Sequence, residues 1–219
     1  MTAAQGTPEW FEERLGRVTA SKVADVVAKT KSGWGASRAN YMAQIIAERL
    51  TGVPADSYTN AAMQWGTDME PEARVAYEFR QNATVIETGF VLHPRIGMTG
   101  ASPDGLIGDD GLIEIKCPST ATHIETLLGE QIAGKYVTQM MWQMACTDRQ
   151  WCDFVSYDPR MPESSRLFAK RVPRDAEMIA DLEKEVVIFL AETDAKIRAL
   201  EQRYSPLKAM LEQSVLMAG

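Results

Sequence analysis

The sequence predicts an α/β domain built on a mixed sheet. Apolar residues at helical spacing fill its first third, and short β-rich runs bounded by Gly, Pro and Asp fill its middle. Helices and returning strands then lead to a long acidic amphipathic segment. A chain of 219 residues is enough for one well-buried domain, 1–219, with helices over about 7–81, a sheet core over about 84–173 and a C-terminal helix from about 175.

Each element has a local reason. TPEW offers Thr7 as a helix cap with Pro8 at the first helical position. In SRANYMAQIIAERLTG, Ser37 is the expected cap, apolar residues recur through Ile46 and Leu50, and Gly52 is the stop. A further helix covers about 60–81, interrupted or restarted at Pro71, which has no N–H to give the preceding turn. TVIETGFVLH, IGMTGAS and GLIEIK have strand composition and strand boundaries. Helices follow over about 120–130 and 134–147, then the strands QWCDFVSYD and RLFAKRV. The closing helix begins near Asp175, with Pro206 as its expected break.

Composition narrows the function. No stretch approaches the roughly eighteen apolar residues that span a bilayer, and MTAAQGTPEW lacks the basic-then-apolar pattern of a secretory leader. Three cysteines without CxxC spacing read as free thiols in a reducing cytoplasm. With only His93 and His123, a zinc site or a histidine-based triad is poorly supplied. The net charge of −7 opposes indiscriminate coating of nucleic acid, but it is unevenly distributed. Residues 14–49 carry seven basic groups against two acids, 158–174 five against two, and 175–203 eight acids against four basic groups. These runs read either as a basic binding surface on an acidic protein or as solvated helix faces.

The segment SPDGLIGDDGLIEIKCP, residues 102–118, concentrates the chemistry. Asp109 and Asp110 belong to a turn between Gly108 and Gly111. Strand alternation puts Glu114 and Lys116 on one face, with Ile113 and Ile115 going to the core on the other. If Asp104 precedes the adjacent strand, its carboxylate meets that of Glu114. Two carboxylates, a backbone carbonyl between them and water make an oxygen site for a hard divalent cation such as Mg²⁺. Such an ion serves phosphodiester hydrolysis, with Lys116 orienting or deprotonating the water and balancing phosphate charge. The bland alternative is an exposed hairpin with an ordinary Glu–Lys pair. Chance alone yields about one acid-x-Lys triplet in this composition, so weight comes from the apolar strand after a Pro-Asp-Gly turn.

PDG followed by EIK is similar to the signature of the PD-(D/E)xK nucleases. RLGRVTASKV, WGTDMEPEAR, SPDGLIGDDGLIEIKCP, YVTQMMWQM and SYDPRM together resemble, in order, the phage lambda exonuclease type, the YqaJ-like alkaline exonucleases of viral recombination. The match runs from about Trp10 to Arg160. It implies a restriction-endonuclease-like core, with a mixed central sheet flanked by helices, a helical N-terminal part and a C-terminal helix. It also implies Asp104, Glu114 and the Ile115 carbonyl as metal ligands and Lys116 as the catalytic lysine. The resemblance likewise implies Glu70 as an additional acid completing the site and Gln139 as a glutamine near the attacking water. By the same resemblance, Arg14, Ser21 and Ser102 would hold the 5′-phosphate of a DNA end, Met63 would be an apolar wedge at the terminal base pairs, and Lys31 would be a basic DNA contact.

Each of these has a structural alternative. Glu70 could be an acid favoured by its helix N-terminus, Gln139 and Gln143 a polar stripe, and Arg14 a partner of Glu9 or Glu13. Ser21 could be a cap and Met63 core. The activity implied is a Mg²⁺-dependent (Mn²⁺ as substitute) 5′→3′ exonuclease on linear duplex DNA, releasing 5′-mononucleotides and leaving a 3′ single strand. The resemblance further implies a homotrimeric ring and a phage-type single-strand annealing protein as partner. The rival functions are a restriction- or resolvase-type endonuclease on the same fold and a non-catalytic DNA-end adaptor. A glycosidase would use the carboxylates but neither the lysine nor the basic segments.

Overall fold

The computed structural model describes residues 3–31, 33–55 and 61–217, with the backbone alone for Ala62, Met63 and residues 205–217. Helix α1 (Pro8–Arg14) leads to strand β1 (Val18–Thr19), a 3₁₀ turn (Ala20–Lys22), α2 (Val23–Val26), the hairpin of β2 (Lys29–Thr30) and β3 (Gly33–Trp34), α3 (Ala36–Thr51) and α4 (Ala61–Gln81). Strands β4 (Val85–Ile86), β5 (Val91–Leu92), β6 (Thr99–Ala101), β7 (Gly105–Ile107) and β8 (Gly111–Lys116) follow. Then come α5 (Thr120–Gly129), α6 (Gly134–Thr147), β9 (Trp151–Tyr157), β10 (Leu167–Pro173) and α7 (Ala176–Met217).

The main sheet has the order β10-β9-β8-β7-β4. It is mixed, because β8 and β9 run parallel while the other neighbours are antiparallel. A smaller sheet joins β1, β6 and β5. Side chains of β8 alternate between two apolar clusters. Leu112 packs with Met140, Met144, Cys152 and Phe189 on the α6–α7 side, and Ile113 and Ile115 pack with Ala73 and Tyr77 of α4 on the other. Both faces of the strand are covered, as in a buried α/β sheet.

Several local expectations are corrected. Gly35, not Ser37, stands at the N-cap of α3, and Ser37 lies inside the first turn. Gly52 closes the helix with φ 69°, the left-handed conformation glycine adopts without strain. Helix α4 continues through Pro71. Trp65, Met69, Ala73 and Tyr77 recur every four residues and dock on one apolar cluster, so packing on both sides of the proline holds the helix together. Helix α7 likewise runs past Pro206. The N-terminal part is not purely helical, since Val18–Thr19 pairs in parallel with Thr99–Gly100.

The uneven charge is largely resolved inside the fold. Lys29, Arg38 and Arg49 pair with Glu185, Glu192 and Asp194 of α7 at 2.9, 2.7 and 2.6 Å. In the second basic run, Arg160 pairs with Asp158, Arg171 with Asp153 and Arg174 with Asp148. The acidic helix thus answers the basic N-terminal segment. Among the described residues, Arg14, Arg17 and Lys31 make no ion pair with it.

Candidate active site

The site forms where β8 outruns β7. Gly105 is the last residue of β7 to pair with β8, opposite Ile113, so the strand edge beyond it has no ladder partner on that side. Asp104 fills the gap: Ile115 N–H donates to its Oδ2 at 2.6 Å. The N–H and C=O of one strand residue point to the same side, so the Ile115 carbonyl also faces the edge that Asp104 occupies. Gly105 makes this approach possible, because a Cβ there would lie 2.2 Å from Val85 Cγ1.

Glu114 is fully buried, so the exposed-hairpin reading does not describe it. Helix α6 covers its face. Gln139 Nε2 donates to Glu114 Oε1 at 2.7 Å and Gln143 Nε2 to Oε2 at 2.6 Å. The Lys116 ammonium pairs with Oε1 and sits 5.4 Å from the Tyr136 ring centroid. From α4, Glu70 lies close enough to interact with Lys116 and Glu114, and pairs with Arg74 at 2.8 Å. Arg74 also bonds Glu87.

The electrostatics follow from three acids around one lysine. Burial, and after it the Glu114 charge, pushes the Asp104 carboxyl well above the usual carboxylate range. Burial raises Glu70 as well, against the pull of Arg74 and Lys116. Burial acts against the Lys116 charge, but the Glu114 and Asp104 carboxylates more than offset it and raise its pKa. Burial pushes the neighbouring Cys117 thiol up to about 12, which leaves it a poor nucleophile. Among the described residues, no three His, Cys, Asp or Glu side chains form a ready-made metal cage. The donor set is instead two carboxylates and a main-chain carbonyl, with negative charge that Lys116 alone does not balance. That set fits a hard divalent cation completed by water.

A second cluster adjoins the first. The Arg14 guanidinium stacks on Trp10 at 4.1 Å and donates through Nη1 to Ser102 Oγ at 3.2 Å, while Trp10 Nε1 donates to the same oxygen at 2.9 Å. Arg14 therefore faces Ser102, two residues before Asp104. Ser21 is exposed on the 3₁₀ turn after β1, its Oγ 3.4 Å from Thr19 Oγ1, and Thr19 stands at the N-cap of that turn. Lys31 is exposed at the tip of the β2–β3 hairpin. The Met63 side chain lies outside the described residues.

Sequence reasoning passed over three participants: Trp10, Arg74 and the amide of Gln143. Arg74 is one turn from Glu70 and Gln143 one turn from Gln139, so helical spacing was the available signal. Both histidines are structural. His93 Nδ1 accepts the N–H groups of Arg95 and Ile96, and the His123 ring lies between Ser156 Oγ and the Ser165 carbonyl.

A mixed sheet flanked by helices, with Asp104, Glu114 and Lys116 at the end of its central hairpin, defines a nuclease fold of the PD-(D/E)xK class. The YqaJ-like viral recombinase domain matches residues 9–150, and the chain belongs to that family. Two crystal structures of LHK-Exo, an alkaline exonuclease from Laribacter hongkongensis, match at 53% identity over 92% of this chain and 100% of that one. The TM-score is 0.87 for the complex with dAMP and 0.86 for the other structure. A phage-related exonuclease from Haemophilus somnus 129PT, 16% identical over 84% of this chain and 96% of that one, shares the fold with a TM-score of 0.70. No curated protein matches.

Proposed function

We propose that this chain is a Mg²⁺-dependent exodeoxyribonuclease that degrades one strand of linear duplex DNA from its 5′ end. It releases 5′-mononucleotides and leaves a 3′ single strand for recombination. The observation that carries this reading is the grouping of Asp104, Glu114 and Lys116 beside the Arg14–Ser102 pair. LHK-Exo, a relative at 53% identity, is an alkaline exonuclease crystallised with dAMP, and the reaction proposed here releases products of that kind.

Asp104, Glu114 and the Ile115 carbonyl would hold the cation, which when bound supplies a polarised phosphoryl oxygen and a more acidic water. Lys116 orients the water and balances charge building on the phosphate. Gln139, half-buried at the open end of the Glu114 clamp, offers a polar contact to the attacking water, and Glu70 completes the acidic rim. Arg14, with Ser102 and Ser21, grips the terminal 5′-phosphate, whose charge exceeds that of an internal phosphodiester. Each cleavage exposes a new 5′-phosphate, so the same anchor reloads. Met63 would serve as the wedge at the terminal base pairs and Lys31 as an outlying backbone contact. A ring of three copies around the duplex and a single-strand annealing partner complete the reading by family resemblance.

An endonuclease on this fold would share the cation site but have no use for an end-binding pocket, and an adaptor would need no cation. Digestion of linear and closed-circular duplex with and without Mg²⁺ separates them. Resection of linear 5′-phosphorylated DNA alone, and only with Mg²⁺, is expected. Cutting of circles favours the endonuclease, and binding without hydrolysis favours the adaptor.

A further inference from the structure

We infer that Gln143 is a positioning residue for the reaction, holding the Glu114 carboxylate from the closed side of the site. The inference rests on the cation-site reading above. Glu114 Oε1 receives Gln139 and Lys116, and Oε2 receives Gln143 at 2.6 Å. A carboxylate offers about four lone-pair directions, so these three donors leave one for a further ligand. The two glutamines sit one turn apart on α6 but are not equivalent. Gln139 is half-buried at the open end, whereas Gln143 is fully buried and can reach neither water nor substrate.

Gln143 also carries a cost that packing does not explain. Its Oε1 is buried and has no hydrogen-bond partner among the described residues. A buried acceptor without a donor is destabilising, and a methionine of similar length would fill the space without one. The amide is oriented by its other end, because an ionised carboxylate only accepts and so must meet the NH₂ group. What the position gains is a fixed Glu114. The terminal torsion of a glutamate is broad, and a carboxylate that binds a cation is itself normally held by hydrogen bonds.

The test uses Gln143→Met in the full chain, with Mn²⁺ as the probe ion. Mn²⁺ binding without DNA is read by electron paramagnetic resonance, alongside melting temperature, kcat and KM on linear duplex. The variant should fold but melt no higher than wild type, because one orphaned oxygen has gone while the buried Glu114 Oε2 loses its donor. Its Mn²⁺ affinity and kcat should each fall by about 10–100-fold, with KM for DNA ends changed by no more than about twofold. If Gln143→Met does not fold, Gln143→Asn, which withdraws the amide by one methylene, should give the same pattern. Mn²⁺ affinity and kcat equal to wild type in a folded variant overturn the inference alone. A wild-type protein that takes up no Mn²⁺ overturns the cation-site reading and this inference with it.

Discussion

Lys116 sits among three carboxylates and bonds one of them, Glu114, whose other contacts are two amides. That environment keeps a cation where a scissile phosphate would approach, while the side chain retains about a quarter of its exposure. Lys116→Ala should therefore lower turnover by at least about 10²-fold and leave binding of linear duplex close to wild type. Gel-shift and single-turnover digestion separate the two effects, and appreciable residual turnover would remove Lys116 from the chemistry. At this scale the sequence was legible where polar residues interrupt an apolar strand, as at Glu114. It was illegible where polarity is ordinary. A glutamine on an amphipathic helix looks like its solvent stripe, and only the packing of α6 over β8 turns Gln143 inward. Arg14 shows the same limit, since local spacing offers Glu9 or Glu13 as partners and the fold supplies Ser102 from the distant β6–β7 connection.

Among the elements, those with several turns or a clear alternation were readable: α1 with its Thr7 cap, α6, and the strands β8, β9 and β10. Two-residue strands such as β1 carry no periodicity of their own and exist through pairing with a partner about eighty residues away. Pro71 misled for a related reason, because local chemistry argues for a break and tertiary contact on both sides of it overrides that preference. The Pro-Asp-Gly turn is the element on which the site depends most. Its glycine lies where a Cβ would meet Val85 Cγ1 at 2.2 Å and Ile113 Cγ2 at 3.2 Å, both on β-branched side chains with little freedom to move. Gly105→Ala should destabilise the protein by about 1–3 kcal/mol, measured by urea unfolding. It should also lower activity in the fraction that remains folded, because β7 must shift and carry Asp104 with it. Wild-type stability in this variant would mean that β7 has slack, contrary to the close approach of three strands around that residue.

Across the whole molecule, charge is arranged rather than merely summed. Read from sequence, the basic run at 14–49 is either a binding surface or a set of solvated helix faces, yet α7 draws Lys29, Arg38 and Arg49 into ion pairs. Arg14 is treated differently. It stacks on Trp10 and donates to a serine hydroxyl, and among the described residues no acid forms an ion pair with it, although the Glu48 charge lies within electrostatic reach. Ser102 ties that charge to Asp104 across two residues of chain, at most about 7 Å between Cα atoms, so the proposed end-recognition group lies a short, fixed stretch of chain from the proposed cation ligand. On the proposed function this proximity would give polarity a physical reason: the anchor would select the doubly charged terminal phosphate, and the cation site would act on the neighbouring linkage. Arg14→Ala should accordingly slow digestion of 5′-phosphorylated ends by about 10-fold or more, the loss of a charge-assisted hydrogen bond of roughly 1.5–3 kcal/mol. Ends bearing a 5′-hydroxyl should be affected far less. Rates on matched duplexes that differ only in that phosphate make the comparison. An equal loss on both ends would mean that Arg14 supports the fold of α1 rather than reading the DNA terminus.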